Sequence, residues 1–318
     1  MRPVYRDFVL LVVAGILMLI CLARPTIPTT RNTFHYLFIL DITQSMNVKD
    51  YQHRELPADR LSFAKEVLRR AIRDLPCGST AGIGLFSTQN VVVLIDALEI
   101  CAHLAALDDT IAHIDWRMAW AADSNIERGL YGAILAARSL ARGARLVFLS
   151  DGEQTMRELH RAPLSQYKDR IQGFVFGVGG SVPSPIPKLD QHNRRLGFWE
   201  KSEVSEFSIG LKDVEAIQQN SSETQPYLSS LHEANLQFLA GMSGLKYYRL
   251  ESPDQFTSIL QHEDPSASHS VETDIRWILA LVSGVLMMFV YRFPASFTSA
   301  RFWTDGIGFG RHKEKISR

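Results

Sequence analysis

The sequence predicts an α/β fold: a doubly wound, mostly parallel sheet with helices on both faces, flanked by two transmembrane helices. Three observations lead there. Strand-like apolar runs alternate with amphipathic helical segments through the middle of the chain, the pattern of a parallel sheet wrapped by helices. Two of the apolar runs lead directly into Asp41 and Ser150-Asp151, at the strand ends where open α/β sheets bind ligands. Two further apolar runs carry no charge at all and stand near the chain ends.

The elements follow in order. Phe8–Ala23 is an uninterrupted apolar run preceded by Arg2 and Arg6, and Trp277–Tyr291 is a second, followed by Arg292, Arg301, Arg311, Lys313, Lys315 and Arg318. Neither shows the polar stripe of a surface helix. Both are slightly short for a hydrocarbon core of ~30 Å, which flanking apolar residues can make good. The positive-inside rule places both ends in the cytoplasm and the middle outside it, in the periplasm of a Gram-negative cell. The expected division is then a cytoplasmic N-terminus at 1–7, a transmembrane helix or signal anchor at 8–23, a folded domain at 31–265, a transmembrane helix at 277–293 and a basic cytoplasmic tail at 294–318. A cleaved signal peptide is the alternative for the first run, because Cys21-Leu22-Ala23 has the small-x-small look of a cleavage site.

Within the domain, residues 34–41 read as a buried strand. Asp59 reads as an N-cap, and Leu61, Ala64, Leu68, Ala71, Ile72 and Leu75 recur at helical spacing. Residues 80–86 and 91–96 form an antiparallel pair around Ser87-Thr88-Gln89-Asn90. Helices near 101–114 and over 126–141 follow, then strands 144–150 and 171–178, helix 229–242, strand 245–250 and a short helix from Pro253. The segment 179–226, rich in Pro, Ser, Asn and charge, reads as a surface insertion, partly mobile.

Composition excludes little. The 318 residues are 46% hydrophobic, ample for a buried core, and the formal net charge is zero. Nothing in that balance points to nucleic acid, which would favour a basic surface. Cys77 precedes one strand of the antiparallel pair and Cys101 follows the other. Antiparallel pairing would make them neighbours, as a disulfide suited to an oxidising periplasm or as two buried thiols.

Three short motifs fall at the predicted carboxyl edge: Asp41-Ile42-Thr43-Gln44-Ser45, Asp123-Ser124-Asn125, and Ser150-Asp151-Gly152-Glu153. All offer hard oxygen donors of the kind Mg²⁺ prefers. Singly, each is what turns and helix caps also use; Ser124, for instance, stands where a cap of the 126–141 helix would. Together, Asp41-x-Thr43-x-Ser45, then Ser124, then Asp151 resemble the metal-ion-dependent adhesion site of von Willebrand factor type A (VWA) domains, a Rossmann-like fold. The family pattern is Asp-x-Ser-x-Ser, a distant Thr and a distant Asp; Thr43 and Ser124 depart from it but keep a hydroxyl. The resemblance spans about residues 34–262. It implies direct metal contacts from Thr43, Ser45 and Ser124, with Asp41 and Asp151 holding waters or binding directly, around Mg²⁺ (or Ca²⁺ or Mn²⁺). It implies an acidic side chain from a protein partner at an open position, and binding without catalysis. Asp123 and Glu153 read as solvated neighbours, and Asp50 as a weaker one.

Anchoring at both ends is similar to the bacterial Bat-type VWA proteins and to those accompanying MoxR-type ATPases. The stretches Asp41–Val48 and Asp115–Trp120 are also similar to VWA accessory proteins of methanol dehydrogenase maturation, which implies a role in assembling, or loading calcium into, a periplasmic dehydrogenase. Two alternatives stand beside it: a Bat-like membrane scaffold in stress tolerance, and a metal-dependent hydrolase, for which no base or nucleophile pair is visible beside the site.

Overall fold

The computed structural model describes residues 3–53, 55–119, 124–140, 144–155, 161–168, 170–201, 203, 226–263 and 267–292. It divides into two compact units, Arg31–His269 and the two chain ends.

In the larger unit, six strands form one sheet in the order β11-β6-β5-β2-β3-β4. They are β2 (His35–Asp41), β3 (Thr80–Ser87), β4 (Asn90–Glu99), β5 (Arg145–Ser150), β6 (Gly173–Gly177) and β11 (Lys246–Arg249). Every neighbouring pair is parallel except β3 and β4. The central strands are apolar on both faces because helices cover both. On one face α2 (Arg60–Asp74), α3 (Ile100–His113) and α6 (Pro253–His262) pack Phe63, Leu68, Leu107 and Phe256 against Phe38, Leu40 and Phe176. On the other, α4 (Ile126–Ser139) and α5 (Glu233–Ser243) pack Leu130, Ile134, Leu236 and Leu239 against Leu37, Ile39, Leu146 and Phe148. Each fully buried Leu, Ile or Phe contributes about 1.5–3 kcal/mol, so these two layers dominate the stability.

Local chemistry sets the helix starts. Asp59 accepts a hydrogen bond from Ser62 N at 2.9 Å, a cap worth about 1 kcal/mol. Ser252 does the same for α6 through Gln255 N at 3.2 Å. The antiparallel β3–β4 pair brings the cysteines together: Cys77 and Cys101 form a disulfide with Cα atoms 5.2 Å apart. Strand β4 runs past the expected Asp96 to Glu99, with register shifts in its pairing.

The 179–226 segment differs from a plain loop. Its described part holds β7 (Ser184–Pro185), which pairs with β10 (Leu228–Ser229), and a hairpin of β8 (Pro187–Leu189) and β9 (Arg195–Phe198). Asn193 near the hairpin turn accepts from Trp116 Nε1 at 2.7 Å. The mobility expected of residues 204–225 lies outside the described residues.

The smaller unit contains α1 (Pro3–Leu22) and α7 (Arg276–Arg292), packed on each other. Ser283 Oγ donates to the Ala14 carbonyl at 3.1 Å, and both residues are buried in the contact. The outward faces are apolar and exposed, including Phe8, Leu19, Leu281 and Met288. Among the described residues one helix, α1, is long and apolar enough to cross a membrane, with a mean hydropathy of 2.2 over Tyr5–Leu22; α7 is a shorter apolar helix. Strands β1 (Thr26–Thr33) and β12 (Ala267–Asp274) pair with each other as a two-stranded sheet. Their polar, unalternating sequences gave no strand signal.

Candidate functional site

The carboxyl ends of β2 and β5, and the start of α4, meet at one rim of the sheet. Asp41 is the last residue of β2 and is buried. One carboxylate oxygen, Oδ1, accepts from Thr43 N at 2.9 Å and from Thr43 Oγ1 at 2.6 Å. The other, Oδ2, accepts from Ser150 Oγ at 2.6 Å, across 109 residues of sequence. Thr43 Oγ1 lies 3.2 Å from Ser45 Oγ, so the first motif curls its two hydroxyls together beside the carboxylate. A short 3-10 turn over Gln44–Asn47 sets that curl.

Ser124 reaches the same rim through its backbone. Its N–H donates to Thr155 Oγ1 at 2.7 Å, and Thr155 N donates to Ser124 O at 3.0 Å. Ser124 also bridges to Thr88 at the end of β3. It does not cap α4; Asn125 does, accepting from Arg128 N at 3.0 Å. The Ser124 hydroxyl is buried and, among the described residues, without a hydrogen-bond partner. Asp123 lies outside the described residues.

Asp151 follows β5 and is fully buried. Oδ1 accepts from Glu153 N at 3.1 Å and Oδ2 accepts from Arg60 at 2.8 Å. Arg60, also fully buried, is the functional residue that the sequence reading missed. Its guanidinium pairs with Asp50 at 2.7 Å and donates to Ser229 Oγ at 2.9 Å and to the Ser45 carbonyl at 3.3 Å. One signal was available: a lone basic residue opens α2, where the helix macrodipole favours an acid. Only a carboxylate cluster nearby makes that placement favourable.

Two expectations need correction. Glu153 is 5% exposed rather than solvated, because Tyr227 and Ser229 close over it and hydrogen-bond its carboxyl. Asp50, read as peripheral, is the main partner of Arg60 and accepts from Gly180 N at 2.7 Å.

The electrostatics follow from burial. Burial pushes the Asp41 carboxyl up to about 7, and the Asp151 charge adds to the push, outweighing the hydrogen bonds from Ser150 and Thr43. Glu153 is likewise pushed up to about 7 by burial and then by Asp151. Burial opposes the charge of Arg60, but Asp151 and Asp50 outweigh it and raise its pKa. Arg60 pairs with Asp50 and Asp151, and the buried Asp41 and Glu153 carboxyl groups have no salt bridge among the described residues. Buried charge needs compensation, and Asp41 when ionised has only hydroxyl and backbone partners among the described residues. The donors are all oxygen, from carboxylates and hydroxyls, and the Ser124 hydroxyl lacks a partner among the described residues. That set fits a hard divalent cation such as Mg²⁺. Among the described residues no three His, Cys, Asp or Glu side chains gather as ligands, so hydroxyls would have to supply part of any shell.

Residues 36–154 match the family model of the von Willebrand factor type A domain. Among solved structures, an aerotolerance-related membrane protein from Bacteroides fragilis NCTC 9343, in a form with multiple mutations to serines, aligns at a TM-score of 0.53 and 19% identity, covering 72% of this chain and 98% of that one. The protein BatB from Bacteroides thetaiotaomicron aligns at a TM-score of 0.52 and 19% identity, covering 72% of this chain and 96% of that one. Comparison with curated proteins finds no match. The domain has the VWA-type α/β fold, with a mixed sheet.

Proposed function

We propose that this domain is a metal-dependent protein-binding module, held outside the cytoplasm by apolar helices and without turnover of its own. The observation that carries the reading is the rim itself: Asp41 buried beside Asp151 with hydroxyl partners but no salt bridge, and a hidden Ser124 hydroxyl with no hydrogen-bond partner among the described residues. Thr43, Ser45 and Ser124 would hold a Mg²⁺ (or Ca²⁺ or Mn²⁺) directly, and Asp41 and Asp151 directly or through waters. When bound, the ion would supply an electrophilic position for an acidic side chain of a partner. The chain's own part is orientation: Asp41 fixes Thr43, Ser150 fixes Asp41, and Arg60 fixes Asp151.

The anchoring is read as two spans. Both α1 and α7 turn apolar faces outward, and the Ser283 hydroxyl is satisfied by a carbonyl of the facing helix, as polar groups between membrane helices are. Basic residues outside both helices favour a periplasmic domain in a bacterial inner membrane. A Bat-like membrane scaffold is the cellular setting to which the names of the two similar structures lend support. Maturation of a periplasmic dehydrogenase, alone or with a MoxR-type ATPase, rests on the stretches Asp41–Val48 and Asp115–Trp120 alone.

The test is a Mg²⁺ titration of the full chain in detergent micelles, followed by capture of periplasmic proteins. Saturable Mg²⁺ uptake should vanish in Asp41→Ala, and capture should need Mg²⁺ and fail with chelator. Equal uptake by Asp41→Ala, or capture indifferent to chelator, would remove the reading.

A further inference from the structure

The turn that joins β3 to β4 is built against its own backbone preference. Thr88 has φ of +59°, the left-handed region, and a β-branched side chain there is strained. It occupies the first loop position of a two-residue hairpin closed by Ser87 and Asn90. Gly, Asn or Asp makes such turns without strain. Nothing in the hairpin itself calls for Thr. Strained residues of this kind cluster where a binding site needs them.

The turn stands at the candidate site. Ile42 N, one residue past Asp41, donates to Phe86 O at 3.1 Å. Thr88 bridges directly to Ser124, and Thr88 O accepts from Asn125 N at 2.5 Å. The hydroxyls add a second, independent observation. Ser87, Thr88 and Ser124 are 0%, 8% and 3% exposed. Ser87 Oγ, Thr88 Oγ1 and Ser124 Oγ are all hidden from solvent, and among the described residues all lack a hydrogen-bond partner. A buried hydroxyl without a partner is unfavourable, and native structures rarely leave one. Three at one rim, beside two buried carboxylates, form a set awaiting a polar ligand.

We propose that the β3–β4 turn is a fourth segment of the cation site, in which Ser87 and Thr88 join Ser124 as hydroxyl donors toward a hydrated divalent cation. The inference rests on the metal reading above and extends it to residues outside the three motifs. Thr88 is then a binding residue retained at the expense of backbone comfort, and Ser87 and Thr88 act on the cation's hydration shell rather than on the fold.

The experiment uses the full chain in detergent micelles, with Mg²⁺ alone as probe, followed by calorimetric titration and by thermal unfolding in chelator. Thr88→Gly should unfold at higher temperature than the parent without metal, because the strain is gone, yet bind Mg²⁺ more weakly by about ten-fold, as loss of one hydrogen bond to a metal-polarised water predicts. Thr88→Val and Ser87→Ala should show the same weakening, and Thr88→Ser should keep the parent affinity. Parent-like Mg²⁺ affinity in Thr88→Gly and Ser87→Ala, with Asp41→Ala defective, overturns this proposal and leaves the metal reading standing. Absence of saturable Mg²⁺ uptake by the parent overturns both. If Thr88→Val does not fold, Ser87→Ala and Thr88→Gly still decide.

Discussion

Arg60 gives the sharpest test of how this rim is held together. Replacing it by Met keeps most of the side-chain volume and removes the guanidinium. Asp50 loses its partner at 2.7 Å and Asp151 its partner at 2.8 Å, with side chains 7% and 0% exposed. Water cannot take the place of Arg60 without opening the site. Removing one member of a buried ion pair is destabilising by about 3–5 kcal/mol, mostly because the other charge is left uncompensated. Here two carboxylates are left, so the upper end of that range applies unless one takes up a proton. Net domain stability is about 5–15 kcal/mol, so the loss is a large share of the whole. For a domain of this size 1 kcal/mol shifts the melting temperature by about 2–4 °C. Arg60→Met should therefore melt at least roughly 6 °C lower in chelator, read by near-ultraviolet circular dichroism of the full chain in micelles. Adding Asp50→Asn should recover part of the loss, since one stranded charge is gone. A variant that melts within about 2 °C of the parent, less than 1 kcal/mol, would refute the reasoning, because the guanidinium would then be contributing packing alone.

Proton linkage gives a second prediction. Asp41 and Glu153 move from ordinary values of 3.8 and 4.5 to about 7 in the folded chain. The folded state binds more protons than the unfolded one across that interval, so the stability these two groups contribute is fully present below about 4 and is lost as pH rises toward about 7. Asp41→Asn, which mimics the protonated carboxyl, should gain on the parent in chelator as pH rises from about 5 to 8, and Mg²⁺ affinity of the parent should rise over the same range; a constant difference in melting temperature would refute the assignment. The Cys77–Cys101 bridge spans 24 residues, a loop whose closure is worth about 3 kcal/mol, so reductant should lower the melting temperature measurably. Gly179→Ala should destabilise by more than about 1 kcal/mol, because Gly179 has φ of +120° and an added Cβ would lie 2.5 Å from Arg60 Nε; chemical denaturation that shows no loss would contradict that packing.

Much of the framework was legible in sequence because local patterns generate it. The apolar run ending at Asp41, the Asp59 cap and the hairpin around Thr88 and Gln89 each declare an element within a few residues. The insertion was less legible: its strands are two to four residues long, too short for a periodic signal. The β1–β12 pair was invisible because its sequences, such as Thr26–Thr33, lack apolar alternation.

The site divides the same way. Sequence alone offered the candidate oxygen-bearing residues, Asp41, Thr43, Ser45, Ser124 and Asp151, at two strand ends and one helix start expected to share an edge. Tertiary structure alone decided what each of them meets. Ser150 on Asp41, Asn125 in place of Ser124 as the α4 cap, Glu153 sealed under Tyr227, and Arg60 between Asp50 and Asp151 are contacts between segments or choices between neighbours that no local pattern distinguishes. The physical reason is that strand and helix periodicity record how a residue faces its own backbone, whereas the charge state and hydrogen bonding of a buried group depend on which distant side chains share its desolvated space.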